Sequence, residues 1–216
     1  MERFASDIWR WTARHPEWHP GTWGAEVACF ALRDGARTLL VDPLVLEAAG
    51  WERLDGVVSG SVTILITIPY HVRSAEVAAA RYRAQIWGHP ACTKRLRSTS
   101  AFRELEPGGG PKGARGFRIG NPRRQEMPVL IEGCSALVFG DAVVGVPGRE
   151  GPLRVWVFSA EPDERWYRGR LVPSFGEVTE AAPERVLVTH GPSVAKGGAK
   201  ELRRALERPS WYHRPA

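Results

Sequence analysis

Residues 62–67 read Val62-Thr63-Ile64-Leu65-Ile66-Thr67, and the loop after them reads Ile68-Pro69-Tyr70-His71-Val72-Arg73-Ser74. The first run is almost wholly apolar and lies between Gly60 and Pro69, two residues that interrupt regular structure. A short continuous apolar run of this kind predicts a strand that is buried on both faces. Strands of that kind are typical of the α/β class, which we predict for this chain.

A helix and a second strand follow this run. Ser74 is placed to cap a helix from Ala75 to about Arg83, in which Glu76 suits the first turn. Gln85-Ile86-Trp87-Gly88 then reads as a short strand. The order strand, helix, strand predicts a βαβ unit with parallel strands, whose functional loops lie at the carboxyl ends of the strands.

Most of the remaining elements read as strands. Residues 26–33 and 37–42 flank Asp34-Gly35, a pair that a two-residue type I′ turn prefers because both positions need a positive φ. The further expected elements are a second hairpin over 128–132 and 135–140, strands over 154–159 and 185–189, a charged loop over 160–184, and a closing helix over 199–206.

The first 23 residues form a tryptophan-rich arm. Its four tryptophans are Trp9, Trp11, Trp18 and Trp23. Indoles at this density normally cover the edge of a core or a partner, so we expect a packing arm. His15 and His19 lie four residues apart, as metal ligands on a helix do, but Pro16 and Pro20 disfavour a regular helix there.

The composition is that of a globular protein. The chain has 216 residues, of which 43% are hydrophobic and 25% charged, which excludes a collagen, a coiled coil and a disordered tail. Cys29, Cys92 and Cys134 are isolated and odd in number, so they indicate neither a disulfide framework nor a cysteine-rich zinc site. With no apolar leader and no apolar run near the ~18 residues of a membrane span, we expect a soluble cytoplasmic protein.

The excess of basic over acidic residues lies in two segments. The formal net charge is +6, and residues 103–124 and 196–216 each hold six basic and two acidic residues. Such segments can bind nucleic acid, but arginine-rich surfaces are also common solubilising faces. Neither segment interleaves aromatic and basic residues extensively, which weakens the nucleic-acid interpretation.

Five short segments together resemble the metallo-β-lactamase fold superfamily. They are Leu39–Leu44, Ile64–Thr67, Ala84–Pro90, Val138–Asp141 and Leu187–Pro192. They resemble, in order, the early strand that ends in Asp, the strand before the His-x-His-x-Asp-His loop, the strand after the first helix, the strand ending in Gly-Asp, and the final strand ending in His-Gly. The resemblance implies a four-layer αββα sandwich and one domain over residues 1–216.

The resemblance also implies a zinc centre, from which this sequence departs. The His, His, Asp and His positions of the family loop are occupied by Ile68, Tyr70, Val72 and Arg73. The next histidine of the family is also missing, because no histidine lies between His89 and His190. Only Asp141 and His190 remain of the implied ligands, so we expect no metal and no other cofactor.

Arg73 brings a permanent cation to a position where the family holds a metal. We therefore expect Arg73 to pair with Asp141, which would otherwise be a buried carboxylate without a counter-charge. The candidate pocket residues are Asp42, Tyr70, His71, Arg73, Asp141 and His190. The favoured function is the binding or sensing of a small anion in this pocket, without catalysis or without a metal.

Two alternatives remain open. One is a hydrolase with a reduced, mononuclear zinc site at His71, Asp141 and His190, in which zinc would ionise a bound water. The other is a nucleic-acid binder that uses the basic segments 103–124 and 196–216. We assign His89, Cys29 and Cys134 structural roles, and no Gly-x-Ser-x-Gly nucleophile motif is present.

Overall fold

Seven strands form the first sheet, in the same order in the sheet as in the chain. The structure is a computed structural model that describes residues 1–18, 24–148, 151–158 and 163–212. The strands are β1 (Glu2–Ala5), β2 (Ile8–Arg14), β3 (Glu26–Asp34), β4 (Arg37–Val41), β5 (Ser61–Ile66), β6 (Gln85–Gly88) and β7 (Phe102–Glu104). Strands β1 to β4 pair antiparallel and β4 to β7 pair parallel. The carboxyl ends of the parallel strands therefore lie together at one edge of the sheet.

Two helices cross over the parallel half of this sheet. Helix α1 (Ala48–Asp55) joins β4 to β5, and α2 (Ala75–Tyr82) joins β5 to β6. Ile64 and Ile86 are register partners in the parallel pair of β5 and β6. The predicted βαβ unit is confirmed.

Ser74 stands at the start of α2 but does not cap it. Its hydroxyl makes no hydrogen bond to a helix amide. It accepts the N–H of Val45 at 3.0 Å instead. The expected cap is therefore wrong, because the hydroxyl ties the start of the helix to the segment after β4.

The first hairpin is confirmed, but its turn lies one residue later than expected. The pairing of β3 and β4 extends to Asp34 and Arg37, so the loop is Gly35-Ala36. Of these two loop positions only the first has a positive φ, at 61° for Gly35, which is the pattern of a type II′ turn. The Asp34 carboxylate lies 2.5 Å from the Arg37 guanidinium and closes the hairpin.

Six further strands of the described residues build the second half. They are β8 (Ala114–Gly116), β9 (Val129–Ile131), β10 (Ala136–Phe139), β11 (Val143–Gly145), β12 (Leu153–Val155) and β13 (Arg185–Val188). The second sheet has the order β13-β10-β9-β8, and β11 and β12 form a separate ribbon. The predicted hairpin of β9 and β10 is confirmed, and the predicted final strand lies parallel to β10.

The expected charged loop is largely helical. Helix α3 (Glu164–Trp166), a π-helical turn (Tyr167–Leu171), a 3₁₀ turn (Pro173–Phe175) and α4 (Gly176–Glu180) follow one another. The buried residues of this stretch, at spacings of four, four and three, are Tyr167, Leu171, Phe175 and Val178. The loop prediction over 160–184 is wrong because this helical period is hidden among charged residues. The closing helix is confirmed as α5 (Gly198–Glu207).

Among the described residues, three large apolar clusters hold the layers together. The core between the sheets contains Phe30 and Leu65 of the first sheet and Val138 and Leu187 of the second. Helices α1 and α2 cover the outer face of the first sheet, and α5 with residues 167–178 covers that of the second. This is the predicted αββα sandwich. No helix in the described ranges is long and apolar enough to cross a membrane.

Most of the described part of the tryptophan-rich arm is sheet. Strands β1 and β2 run through it, and Trp9 and Trp11 pack on the helix layer of the first sheet. The indole N–H of Trp11 donates to the Leu44 carbonyl at 2.9 Å. The described part of the arm thus adds β1 and β2 to one end of the first sheet, and the sequence analysis did not predict these two strands. His19 and Trp23 lie outside the described residues.

Candidate functional site

The candidate site lies where four strands end. Asp42 directly follows β4, and Thr67 directly follows β5. On the second sheet, Asp141 follows β10 and His190 follows β13, each after one intervening residue. A hydrogen bond from the Ala28 N–H to the Thr189 carbonyl, 2.7 Å long, joins the sheets here. The packing of the two sheets therefore brings four distant sequence positions to one cleft.

Asp42 organises the half of the site that belongs to the first sheet. It is 1% exposed and has a φ of 48°, in the left-handed region that aspartate tolerates better than most residues. One carboxylate oxygen accepts the Thr67 N–H at 2.9 Å, and the other accepts the Thr67 hydroxyl at 2.5 Å. Asp42 therefore fixes the start of the loop that follows β5, as expected for an aspartate at a strand end.

His71 lies between two carboxylates. It ends a 3₁₀ turn (Pro69–His71), and its Nδ1 lies 2.9 Å from Asp42 Oδ2. Its Nε2 lies 3.4 Å from Asp141 Oδ1. Burial and the Arg73 charge both lower the pKa of His71, but Asp42 and Asp141 outweigh them and leave this pKa above its usual value. The arrangement favours an imidazolium at this position.

Asp141 contacts two imidazoles. Besides His71 Nε2, its Oδ1 lies 3.5 Å from His190 Nε2. Burial alone would raise the pKa of Asp141, yet His71 and His190 hold it well below the usual value. Burial lowers the pKa of His190 against the pull of Asp141, so His190 favours its neutral form.

The expected ion pair between Arg73 and Asp141 does not form. Arg73 has a φ of 41°, and its Nη1 donates to the Asp42 carbonyl at 3.1 Å and approaches Cys29 Sγ at 3.9 Å. The His71 imidazole stands against Asp141 instead. The prediction is wrong because the backbone directs the guanidinium to the main-chain side of Asp42, away from its carboxylate.

Glu126 organises the half of the site that belongs to the second sheet, and the sequence analysis missed it. Its carboxylate accepts the N–H groups of Gly140, Asp141 and Ala142 at 3.0, 3.2 and 2.8 Å. Burial raises the pKa of Glu126 to about 7. The only signal in the sequence is one acidic residue that follows an arginine-rich stretch and precedes an apolar strand.

Arg124 accompanies Glu126 inside the protein. Its Nη1 lies 3.6 Å from Glu126 Oε2, its Nη2 donates to the Trp156 carbonyl, and the residue is 3% exposed. The basic segment 103–124 therefore exposes one cation fewer than its sequence suggests. This reduces the support for nucleic-acid binding through that segment.

A cavity of about 380 Å³ lies beside the cluster of carboxylates and imidazoles. We call it the arginine cavity and define it by His15, Tyr70, Arg73, Arg95 and Arg97 in its wall. Tyr70 is 63% exposed, with the Arg95 guanidinium 4.1 Å from its ring centre. Burial, and next the charge of Arg73, lower the pKa of His15. Of the predicted pocket residues, Tyr70 and Arg73 thus line this cavity, while the other four form the adjacent cluster.

The zinc centre implied by the resemblance does not fit these residues as a two-metal site. Ile68 and Val72 are buried apolar side chains, and Arg73 is a cation. In the ranges that the structure describes, no group of three or more His, Cys, Asp or Glu side chains is arranged to hold a metal ion. His71, Asp141 and His190, the proposed mononuclear ligands, do converge, in direct contact with one another.

The histidine and cysteines that we expected to be structural lie in a helix cap and in the buried interior. His89 Nδ1 accepts the Ala91 N–H at 3.1 Å and caps a short 3₁₀ turn. Cys29, Cys92 and Cys134 are buried thiols that form no disulfide. Burial raises the pKa of Cys29 to about 11 and of Cys92 to about 12, so neither thiol is a ready nucleophile.

No protein-family model and no curated protein matches this chain. Solved structures do match it. The metallo-β-lactamase from Pontibacter korlensis superimposes with a TM-score of 0.65 at 12% identity, over 96% of this chain and 98% of that one. The metallo-β-lactamase from Erythrobacter litoralis, with β-mercaptoethanol in its active site, has a TM-score of 0.64 at 13% identity over 95% of both chains. A chemotaxis sensor named ODP, described with a peroxy diiron species, has a TM-score of 0.59 at 15% identity over 84% of both chains. At such identities the likeness is evidence of the fold alone.

Proposed function

We propose that this chain, which has the metallo-β-lactamase fold, binds or senses a small anion at Arg73 and needs no metal to do so. The observation that carries the proposal is that the Arg73 guanidinium has only part of its hydrogen-bond donors satisfied. Its Nη1 is anchored on Asp42 and Cys29. Its Nε and Nη2 are buried in the described structure without a hydrogen-bond partner.

Buried donors of a cation that lack a hydrogen-bond partner destabilise the folded protein. Leaving a buried polar group without a partner costs about 1–3 kcal/mol, and more when the group is charged. A carboxylate or phosphate oxygen pair matches the planar fork of a guanidinium, so an anion that displaces the side chains covering this edge would satisfy both donors of Arg73 together. Arg95 and Arg97 in the same wall add positive charge, against Glu17 and Glu76.

The neighbouring cluster supports independence from metal because its charges already balance. Asp42 and Asp141 supply two carboxylates. The guanidinium of Arg73 supplies one cation, and the raised pKa of His71 favours a second within the same group of contacts. A divalent cation added here would leave an excess of buried positive charge, which is costly in a low-dielectric interior.

The test is isothermal titration of the chelator-treated chain with inorganic phosphate and with acetate. We expect saturable binding of at least one of them. The Arg73→Gln variant should bind at least ~10-fold more weakly, because hydrogen bonds to a charged group contribute about 1.5–3 kcal/mol. Arg170→Gln, which removes an exposed arginine from the π-helical turn, is the matched control and should bind as the wild type does.

Two results would contradict the proposal. One is the absence of binding for both anions in the wild type. The other is binding that survives Arg73→Gln unchanged, since the anion would then sit elsewhere.

A mononuclear metal site is the second candidate, and one observation favours it. Asp42 holds Nδ1 of His71, in the way that carboxylates orient metal-ligating histidines. His71, Asp141 and His190 would hold the ion, and a bound zinc would supply a water that ionises near neutral pH.

Zinc titration with elemental analysis separates the two candidates. About one tightly held zinc per chain, lost in His190→Asn, would establish the metal site and overturn metal independence. Less than a tenth of an equivalent after dialysis would support the anion-binding protein.

A further inference from the structure

A second cavity adjoins the arginine cavity. It measures about 290 Å³, and we call it the apolar cavity after the residues that define it: Trp11, Ala13, Leu44, Val45, Leu46 and Gly50. Charged side chains also reach its wall, among them Arg14, Glu47 and Arg53. Leu44 and Leu46 belong to the walls of both cavities. The two spaces are therefore neighbours across this short segment.

The same two stretches of chain border both spaces. Residues 11–14 line the apolar cavity, and residues 15–17, directly after them, line the arginine cavity. Residues 44–47 lie opposite, held by the bond from the Trp11 indole to the Leu44 carbonyl. Residues 11–17 therefore trace a path along the chain that borders first the apolar cavity and then the arginine cavity.

Exposed apolar side chains are concentrated along this path. Leu46 is 57% exposed, and the exposed side chains of Met1 and Tyr70 also lie in these two walls. Large apolar side chains grouped in and around a concave site are typical of ligand-binding surfaces. An inorganic anion at Arg73 would leave all of this surface unused.

We propose that the ligand is an amphipathic organic anion, whose carboxylate or phosphate head binds Arg73 and whose alkyl chain lies in the apolar cavity. This inference rests on the proposed function, since it needs the head to bind at Arg73. The inference goes beyond the proposed function because it specifies an alkyl chain, which the polar contacts at Arg73 alone do not specify. Each cavity is close to the lower end of the ~300–1,000 Å³ range of small-molecule sites, so a short chain suits them.

A chain-length series tests the inference on the wild-type protein. Acetate, butyrate and octanoate carry the same head and differ in the alkyl chain. A buried methylene tightens binding by up to ~4-fold, so octanoate should bind at least ~10-fold more tightly than butyrate. Equal affinities for acetate, butyrate and octanoate would overturn the inference and leave the proposed function standing. Absence of binding for all three and for phosphate would overturn both.

A substitution tests where the alkyl chain of the ligand lies. Ala13→Phe places a large side chain in the apolar cavity and should abolish the preference for octanoate over butyrate. Ala13→Ser is the size-matched control and should keep the preference. A preference that persists in folded Ala13→Phe would place the alkyl chain elsewhere and overturn the assignment. Thermal unfolding of each variant reports whether it folds, and the wild-type series decides the inference if Ala13→Phe does not.

Discussion

In each half of the site a buried carboxylate holds a loop in place, but the two carboxylates bind different kinds of hydrogen-bond donor. In the first sheet, Asp42 holds the loop after β5 through the amide and hydroxyl of Thr67 and the imidazole of His71. In the second sheet, Glu126 holds the turn of Asp141 through three backbone N–H groups. The second half retains the aspartate and histidine that the resemblance implies. The first half lacks the ligands that the resemblance implies, and Asp42 there binds two side chains besides the Thr67 amide.

This difference shows where a functional loop tolerates substitution. A carboxylate that binds backbone amides supports the turn whatever side chains the turn carries. A carboxylate that binds side chains depends on their identity. The first half, anchored largely through side chains, is the one in which Arg73 and His71 do not match the ligand pattern that the resemblance implies. This half adjoins the arginine cavity.

The largest expected effect comes from Glu126→Ala. It leaves three backbone donors and the Arg124 guanidinium buried without the carboxylate, so we expect a loss of about 3–5 kcal/mol in unfolding free energy. Urea denaturation measures it. Glu132→Ala, at an exposed position, is the control and should change little. A loss below ~1 kcal/mol would mean that Glu126 does not support the turn.

The pH dependence of stability should come next in size. The pKa of Glu126 is raised from 4.5 to about 7 in the folded state. The folded state therefore binds the proton more tightly, and this group's contribution is fully present below pH ~4.5 and is lost as the pH rises through 7. The linkage amounts to about 3 kcal/mol. The difference between wild type and Glu126→Ala, measured by urea unfolding from pH 4.5 to 8, should shrink as the pH rises. A difference independent of pH would contradict it.

Asp42→Asn should cost about 2–3 kcal/mol, since it weakens hydrogen bonds to a buried charged group. Asparagine tolerates the left-handed backbone, so the change tests the charge rather than the turn. The pKa of His71 should fall, because Asp42 is one of the two carboxylates that raise it. Imidazole titration by NMR measures this. An unchanged His71 pKa would show that the side-chain contacts do not govern the first half.

Thr67→Val is the smallest change, with an expected loss of about 1–2 kcal/mol from one hydroxyl hydrogen bond to Asp42. The Thr67 amide would still donate to the carboxylate. Thr67→Ser keeps the hydroxyl and serves as the control in the same urea experiment. A loss as large as that of Asp42→Asn would mean that the hydroxyl, rather than the amide or His71, anchors the first half.

Local patterns predicted most of the fold correctly. The apolar run at 62–67, the two hairpins and the final strand each follow from a few adjacent residues, as strand period and turn chemistry are local properties. The helical stretch 163–180 escaped prediction because its apolar residues are separated by charges. The turn at Gly35-Ala36 differs from expectation by one residue, since register depends on the whole strand pair.

The candidate site was predictable only in part. Asp42, Asp141 and His190 lie in segments that carry the family resemblance, so it was the resemblance that implied their places at strand ends. Glu126 lies in a polar segment between strands, and nothing local distinguishes it. Its partners are backbone amides 14 to 16 residues away, which become neighbours only when the strands pack.

The sequence by itself determined most of the strand and helix pattern, and through the resemblance it implied the αββα layering and the mismatch with the metal ligands of the family. The tertiary structure alone decided which groups became partners. Asp141 faces two imidazoles and not Arg73, because the left-handed backbone at Asp42 and Arg73 turns the guanidinium to a main-chain oxygen. Partner choice depends on directions set by distant packing, and these directions are absent from any short stretch of residues.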